Sequence, residues 1–130
     1  MADMNISLDA SPLSALMQRG ASFLGSETAI ICGAMSWVSE RNLVAAMSNA
    51  GGFGLIACGA MTPALLDGEI AATRALTSKP FGVNLITMHP ALTELLDVCI
   101  AHRVGTIIFA GGIPSGAILA QARAAGMKII

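Results

Sequence analysis

Short apolar runs alternate with amphipathic stretches along most of the chain. The runs are apolar at nearly every position, which is typical of strands buried on both faces, and they lie at residues 29–35, 53–58, 81–87, 104–109 and 127–130. Between them, apolar residues recur every three or four positions and predict helices at residues 39–50, 62–77, 90–102 and 114–125. A first helix is predicted at residues 12–25, after a polar, irregular segment at residues 1–11. The chain therefore reads as repeated strand–helix units.

The predicted helix ends carry signals of their own. Ser39 precedes the second helix and Thr62 precedes the third, and both residue types are good N-caps. Pro63 suits a first helical turn, where its missing N–H is not needed. Gly51 or Gly52 follows the second helix and predicts its end.

The segment SNAGGFGLIACG, residues 48–59, superficially matches a dinucleotide-binding fingerprint, with Gly52, Gly54 and Ala57 at the G-x-G-x-x-A spacing. That fingerprint needs a strand before the glycines and a helix after them, so that helical N–H groups face a pyrophosphate. Here a helix precedes the glycines and a strand follows. We therefore interpret them as a helix end and a tight turn into the next strand.

Buried strands that alternate with helices predict an α/β fold with a parallel sheet. The short, regular units favour the N-terminal portion of a (β/α)8 TIM barrel, with about four βα units and a fifth strand; an open doubly wound parallel sheet is the alternative. In both folds, ligands bind at the carboxyl ends of the strands. Small or polar residues stand at those ends, at 33–36, 58–60, 84 and 110–112.

A complete barrel takes about 250 residues, whereas this chain has 130 and reaches Ile130 within its fifth predicted strand. Half a barrel leaves sheet edges unpaired and its inner face wet. We therefore expect the N-terminal part of a longer protein, or a chain that pairs with a missing C-terminal half or with another copy of itself. Residues 1–28 are predicted to form an N-terminal segment and first helix, and residues 29–130 the first half of the barrel.

Composition narrows the partners and the location. The chain is 55% hydrophobic and 12% charged, yet no run reaches the roughly 18 apolar residues of a membrane span. The basic residues are scattered, which argues against a nucleic-acid partner. The three cysteines lack metal-ligand spacing, which favours free thiols and no metal site. Asp3 and Asp9 stand where a signal peptide would be basic, so we expect a cytoplasmic protein.

The run AIICGAMSWVSERNLVAAMSNAGGFGLIACGAM, followed by KPFGVNLI, resembles the start of the nitronate monooxygenase family, which includes FMN-dependent enoyl-acyl-carrier-protein reductases. The shared blocks are a strand ending in G-A-M, a helix ending in S-N-A-G-G-x-G, a strand ending in glycine, and K-P-F-G-V-N on the third strand. All four occur in order, and the resemblance spans roughly residues 12–130. It implies a TIM barrel that binds FMN and a small-molecule substrate.

The resemblance also implies which residues bind the cofactor: Gly33, Ala34, Met35, Gly59, Asn84, Ala110 and Gly111. Residues 33–35 would pass under the flavin ring, where small residues let the main chain approach closely. Asn84 would bond a polar edge of the flavin; the alternative is a buried amide that satisfies backbone groups. For Gly111 a plain turn before the next helix is equally consistent.

The catalytic group is not identified by the sequence. The resemblance implies a catalytic histidine in a G-G-H block, which lies beyond Ile130 together with the phosphate loops, and no G-G-H occurs in these residues. His89 follows the third predicted strand on the ligand side and is a weak candidate. His102 ends a predicted helix, where the helix dipole accounts for it. Trp37 either packs over the ligand mouth or covers the edge of the barrel.

Three functions remain open at this point. The first is FMN-dependent oxidation of alkyl nitronates by O2 to a carbonyl compound and nitrite, with this stretch inactive alone. The second is reduction of an enoyl thioester or quinone by NAD(P)H through FMN. The third is a non-enzymatic half barrel that associates with itself.

Overall fold

The computed structural model describes residues 12–130, so the predicted irregular segment lies outside the described residues. Within that range five helices and four strands follow one another: α1 (Pro12–Leu24), α2 (Arg41–Asn49), β1 (Gly54–Ala57), α3 (Pro63–Leu76), β2 (Phe81–Ile86), α4 (Leu92–Ala101), β3 (Thr106–Ala110), α5 (Gly116–Ala124) and β4 (Lys128–Ile129). The described helices include none that is long and apolar enough to cross a membrane.

The four strands form one parallel sheet in the order β1-β2-β3-β4. Each strand therefore lies beside the next one in the chain, which is the winding of a barrel. A doubly wound sheet reverses its strand order at a switch point, and the described strands contain no such reversal. The doubly wound alternative is wrong for this part of the chain.

The helices α2 to α5 cover one face of the sheet. Each contacts the next helix along the chain, so they lie side by side. Alternate strand residues such as Ile56, Val83 and Ile107 point toward them and are fully buried with Leu66 and Leu95. This layer is the main hydrophobic core, and it accounts for the apolar residues at alternate positions of the strands.

We call the other face of the sheet the inner face. Among the described residues, this face is covered near the amino ends of the strands. There Leu24 from α1 packs with Phe53, Leu55 and the half-buried Ile108. Lys128 donates to the carbonyl of Phe23 in the last turn of α1, and its ammonium lies 5.4 Å from the Phe23 ring. A cation at that position complements the helix dipole. The first helix is thereby anchored at the amino ends of the strands.

The predicted strand at residues 29–35 is wrong as a regular strand. It forms one parallel bridge, Ile31 with Phe53, supported by hydrogen bonds from Cys32 N–H to Phe53 O and from Phe53 N–H to Ile30 O. The bridge has β1 as its single described neighbour. Beyond the bridge, the Ser39 hydroxyl accepts from Met35 N–H and donates to Gly33 O. These main-chain groups therefore bond to a side chain and not to a neighbouring strand.

The predicted strand at residues 127–130 is present but shorter than expected. Regular pairing covers only Lys128 and Ile129, which lie opposite Thr106 and Ile107. Ile130 nevertheless continues the ladder, because its N–H donates to Ile107 O at 3.0 Å and its carbonyl accepts from Phe109 N–H at 3.0 Å. Its side chain is 45% exposed. The last described strand is therefore in register with β3 up to Ile130.

The predicted helix caps agree with the structure at one position and differ at the other. Thr62 caps α3, accepting from Leu65 N–H, and Pro63 begins the helix as expected. The prediction for Ser39 is wrong, because the N-cap of α2 is Glu40. Ser39 is instead almost fully buried, accepts from Met35 N–H at 3.0 Å and donates to Gly33 O at 3.2 Å. Hydrogen bonds to the preceding loop have replaced the helix cap.

The glycine-rich segment is structural, as interpreted. Gly51 has φ +88° just after α2, which ends the helix. A Cβ on Gly54 would lie 2.9 Å from Val44 Cα and would overlap the Val44 carbonyl oxygen, so β1 packs directly on the backbone of α2. The strand that follows enters the sheet without forming a phosphate cradle.

Candidate functional site at the carboxyl ends of the strands

The register of the sheet arranges the inner face in rows. Asn84 pairs with Ala57 on one side and Ile108 on the other. Two residues further toward the carboxyl end of β2, Ile86 pairs with Ala110. Because side chains alternate along a strand, Asn84 and Ile86 point to the same face. The predicted residues therefore lie in adjacent rows at one edge of the sheet.

Ile86 forms the floor of this edge. Its Cγ1 lies 3.0 Å from the position that a Cβ would take on Gly59, and its Cγ2 lies 3.5 Å from the corresponding position on Gly111. Ser36 Oγ lies 3.9 Å from the same Gly59 position, and Met88 Cε lies 3.7 Å from that of Gly111. These contacts join the carboxyl ends of neighbouring strands into one continuous apolar surface, which we call the mouth floor. Larger residues at the two glycines would cover it.

Asn84 presents a polar group beside this floor. The residue is half-buried, and among the described residues its side-chain amide makes no hydrogen bond. Its main-chain carbonyl accepts from the thiol of Cys58 at 2.9 Å and from the Cys58 N–H at 3.4 Å. The amide can therefore both donate to and accept from a ligand on the inner face.

The segment 33–35 is held by Ser39 rather than by the sheet. Gly33 and Met35 are exposed and Ala34 is half-buried. A Cβ on Gly33 would meet nothing within 4 Å. The segment therefore offers bare backbone with open space beside it, fixed by a buried hydroxyl.

His89 follows β2 at the same edge and helps to start α4. Its ring Nδ1 accepts from Ala91 N–H at 3.1 Å, and its main-chain N–H donates to Ile86 O. An accepting Nδ1 places the proton of the neutral ring on Nε2. His102 is the C-cap of α4, as interpreted, and its Nε2 lies 2.7 Å from Asp67 Oδ1.

Neither histidine is joined to an acid–base partner at the mouth. Up to Ile130 the described chain contains no Gly-Gly-His block, in agreement with its sequence. The position of the family's catalytic histidine beyond Ile130 stays a prediction. His89 keeps its place as the weak candidate within these residues, since its ring is the one that lies at the carboxyl ends of the strands.

The two buried cysteines are not nucleophiles. Burial raises the pKa of the Cys58 thiol to about 12. Burial, with a smaller contribution from neighbouring Cys58, raises the pKa of Cys99 to about 12 as well. The thiolate is the reactive form, so both groups are inert near neutral pH.

Charge is distributed unequally between the two ends of the sheet. The loops at the carboxyl ends, residues 33–39, 58–62, 87–91 and 110–115, contain no Asp, Glu, Lys or Arg. The next charged residues along the first loop are Glu40, which caps α2, and Arg41, which pairs with the buried Glu69. Hydrogen bonding to Glu69 raises the pKa of Arg41 further.

Charged residues lie around the amino ends of the strands instead. A cavity of about 580 Å3 lies there, and Arg74, Lys79, Arg103 and Lys128 line it. Most of these groups have structural partners in the described chain. Arg74 donates to His102 O, and Lys79 pairs with Glu27 at 2.8 Å. In barrels of this kind the amino end serves stability, whereas ligands bind at the carboxyl end.

The parallel sheet and its helices define a segment of a βα barrel whose carboxyl-end edge is uncharged in the described loops. The chain belongs to the nitronate monooxygenase family, whose model matches residues 19–126. This is a family of FMN-dependent oxidoreductases.

Named relatives carry two kinds of activity. A "(3aS,4S,5R,7aS)-5-hydroxy-7a-methyl-1-oxo-octahydro-1H-indene-4-carboxyl-CoA dehydrogenase" of Rhodococcus jostii is 35% identical over 82% of this chain and 30% of its own length. A nitronate monooxygenase of Paraburkholderia phytofirmans is 42% identical over 55% of this chain and 19% of its own length. The chain thus spans about a third or less of these two relatives.

Solved structures confirm the fold. FabK from Thermotoga maritima superposes with a TM-score of 0.82 at 38% identity, covering 85% of this chain and 35% of that one. A nitroalkane oxidase from Streptomyces ansochromogenes gives a TM-score of 0.73 at 25% identity, covering 84% and 40%. Both are TIM barrels of which this chain matches a part, so the prediction of an N-terminal barrel portion is confirmed.

The structure brings most of the predicted cofactor residues to the same edge. Gly59, Asn84, Ala110 and Gly111 lie on or beside the mouth floor. Their role in binding a cofactor stays a prediction. Sequence reasoning missed Ile86, although its signal was present: it stands two residues after Asn84 in a strand and must share its face.

Proposed function

We propose that this chain supplies the flavin-facing half of the mouth in an FMN-dependent oxidoreductase. The observation that carries the proposal is the half-buried amide of Asn84, which has no hydrogen-bond partner among the described residues and stands beside the apolar floor of Ile86. A flat heteroaromatic ring needs that combination of an apolar surface and a polar edge contact.

The chain's own groups fit the ring part of the cofactor. Ile86 would support the ring, and the open backbone at Gly33 would let it approach the main chain. The Asn84 amide would orient its polar edge. Bound FMN would supply the electron transfer, while these residues position it and exclude water. The four uncharged loops offer no cation for the phosphate, so we assign the phosphate to other parts of the protein.

Two reactions remain candidates for the whole protein. The family model and several relatives carry the name nitronate monooxygenase, which supports oxidation of an alkyl nitronate by O2 to a carbonyl compound and nitrite. The likeness to FabK and to a carboxyl-CoA dehydrogenase supports electron exchange between FMN and a thioester substrate, with NAD(P)H as the second reactant of a reductase. The two reactions differ in the compound that reduces the flavin: the nitronate in the first and NAD(P)H in the second.

Anaerobic flavin reduction separates the reactions. The protein produced from its natural reading frame is loaded with FMN, and the flavin absorbance is followed after adding NADH, NADPH or ethyl nitronate. Rapid bleaching by a pyridine nucleotide identifies the reductase, and bleaching by ethyl nitronate alone identifies the monooxygenase. A protein that binds no FMN would contradict both.

The Asn84→Ala variant tests the site itself. We expect its Kd for FMN to rise about tenfold, corresponding to one lost hydrogen bond of ~1.4 kcal/mol. Asn49→Ala is the matched control, because Asn49 bonds Leu76 O and Thr77 away from the mouth. An unchanged FMN affinity in Asn84→Ala would remove this residue from the site.

Within the described chain, the segment around the Ile31–Phe53 bridge has an unpaired edge that is relevant to the self-association hypothesis. Ile30 and Ile31 are 52% and 38% exposed, and the described segment pairs on one side only. A further strand on its open side would pair with the main-chain groups of this edge. Sedimentation of the natural protein at decreasing concentration tests whether that strand comes from a second copy: a stable monomer that binds FMN would exclude it.

A further inference from the structure

The three most exposed large apolar side chains in the described loops at the carboxyl ends lie in three different loops. Trp37, Met88 and Ile113 are 74%, 76% and 95% exposed. We call them the apolar rim. The loops that carry them follow the bridge at Ile31, the strand β2 and the strand β3, in that order. All three therefore lie at the end of the sheet where ligands bind in this fold.

Trp37 is held in a backbone conformation that its residue type disfavours. Its φ is +65°, and it occupies the third position of a β-turn closed by Val38 N–H to Met35 O at 3.1 Å. Glycine or asparagine usually takes a turn position of positive φ. A bulky residue there costs on the order of 1 kcal/mol or more, unless its surroundings impose it.

The buried Ser39 imposes this conformation. Its N–H donates to Met35 O at 2.8 Å, its hydroxyl bonds residues 33 and 35, and its carbonyl accepts from Ala57 N–H at 3.0 Å. The turn is thus tied both to itself and to β1. The result is an exposed indole on a turn fixed by hydrogen bonds, without burial against the described chain to offset its strain.

The chemistry of the rim matches an uncharged partner. The four described loops at this end contain no Asp, Glu, Lys or Arg. An anionic group brought there would lose hydration without gaining a counter-charge. An apolar group would bury surface against the indole, a thioether and an aliphatic side chain at no such cost.

We propose that Trp37 is a specificity-determining residue that packs against a large, uncharged apolar group of the substrate, with Met88 and Ile113 on the other side of that group. This inference rests on the proposed function, because it places the substrate over a cofactor at the mouth floor. It favours substrates with a long chain or ring system over small anionic nitronates.

The test compares two enoyl thioesters of N-acetylcysteamine, with four and twelve carbons in the acyl chain, on the FMN-loaded natural protein. We expect Trp37→Ala to raise KM about tenfold for the long chain and less than threefold for the short one, with kcat unchanged. Trp37→Phe should keep the discrimination within about threefold. Val38→Ala is the matched control, because Val38 is the adjacent exposed apolar residue of the same loop.

A second measurement does not need turnover. Saturated dodecanoyl-N-acetylcysteamine is titrated into the wild type and Trp37→Ala by calorimetry, and FMN binding is measured on the same preparations. About tenfold weaker probe binding with normal FMN affinity supports the assignment. Equal probe binding, or no binding to either protein, overturns it, as does an equal change in KM for both chain lengths. Loss of FMN from the wild type instead contradicts the proposed function, while the probe titration still tests Trp37.

The Trp37→Gly variant distinguishes a role of the indole in substrate binding from a role in the stability of the fold. Glycine accepts a φ of +65° without strain, so the variant should unfold at a higher denaturant concentration than Trp37→Ala. It should nevertheless lose the chain-length discrimination. A purely structural Trp37 would show the reverse, with stability lost and discrimination kept.

Discussion

The two ends of this sheet use the same residue types for different purposes. At the amino ends, charged side chains bond to groups of neighbouring segments: Lys79 pairs with Glu27, and Lys128 donates to a carbonyl in the last turn of α1. At the carboxyl ends, charges are missing from the loops and small residues leave a floor open. Glycine, histidine and asparagine occur at both ends. Position in the fold therefore assigns these residues to stability or to binding, and paired substitutions can test the division.

The largest effect is expected at Gly54, on the amino side of β1. Gly54→Ala would place a methyl group against the backbone of Val44, 2.9 Å from its Cα, where the main chain cannot move aside cheaply. We expect the free energy of unfolding to fall by about 3 kcal/mol in urea denaturation. The folded fraction should still bind FMN normally.

Gly68→Ala is the control for this substitution. Gly68 lies in α3, and a Cβ there would meet nothing within 4 Å. Alanine in a helix should raise stability by about 0.5–1 kcal/mol. Equal behaviour of the two variants would mean that β1 does not pack on α2 as described.

The next effect is on binding and lies at the opposite end. Gly33→Val adds a side chain where the structure has open space, so the apo protein should keep its stability. If the flavin ring passes over this backbone, its Kd should rise at least about tenfold, or ~1.4 kcal/mol. Fluorescence titration with FMN measures it.

Gly105→Val is the counterpart at the amino end. Its added Cβ also meets nothing within 4 Å, and Gly105 lines the amino-end cavity. FMN affinity should be unchanged. Normal FMN binding by Gly33→Val would contradict the assignment of the carboxyl ends to ligand binding. It would mean that the flavin does not lie over the backbone of Gly33.

A smaller effect is expected at His89. Removing its ring leaves Ala91 N–H without an acceptor at the start of α4, and His89→Ala should lose about 1 kcal/mol of stability. His89→Asn keeps an acceptor and should restore most of it, with kcat within about twofold of the wild type.

The asparagine variant decides whether the residue has a chemical role. General acid–base groups contribute on the order of a hundredfold or more to rate. A loss of that size in a stably folded His89→Asn would make the ring catalytic. His102→Ala, at the other helix end, should leave kcat unaltered because its ring faces Asp67.

The sequence predicted what local patterns determine. Short continuous apolar runs located the strands β1 to β3, a period of 3.6 residues located the helices, and Thr62 was correctly predicted as a cap. The position of Asn84 at a carboxyl end followed from its strand alone. These features depend on residues close in the chain, so one sequence is enough to predict them.

Competition between alternative hydrogen-bond partners, and contacts between different elements, explain what was missed. Ser39 has every local property of an N-cap, yet it bonds Gly33 and Met35, because their groups have no ladder partner. The floor at Ile86 depends on register between strands. The strained turn at Trp37 depends on Ser39 in its turn. Sequence patterns describe faces and ends of elements, whereas these contacts depend on how the elements meet.

The smallest effect is expected at the exposed amino-end pair of Glu27 and Lys79. The hydrogen bond from Lys79, and then its charge, lower the pKa of Glu27 from its usual value of 4.5. A lowered folded-state pKa means that the pair stabilises the protein above pH 4.5 and that this contribution is lost as the pH falls through the folded-state pKa. Both side chains are well exposed, so solvent screens them. Glu27→Gln should therefore shift the Tm at about pH 7 by less than calorimetry resolves, and the two proteins should melt together at about pH 3. A drop of several degrees at neutral pH that vanishes in high salt would show that even exposed charges at this end hold the first helix in place, which would widen the contrast with the uncharged mouth.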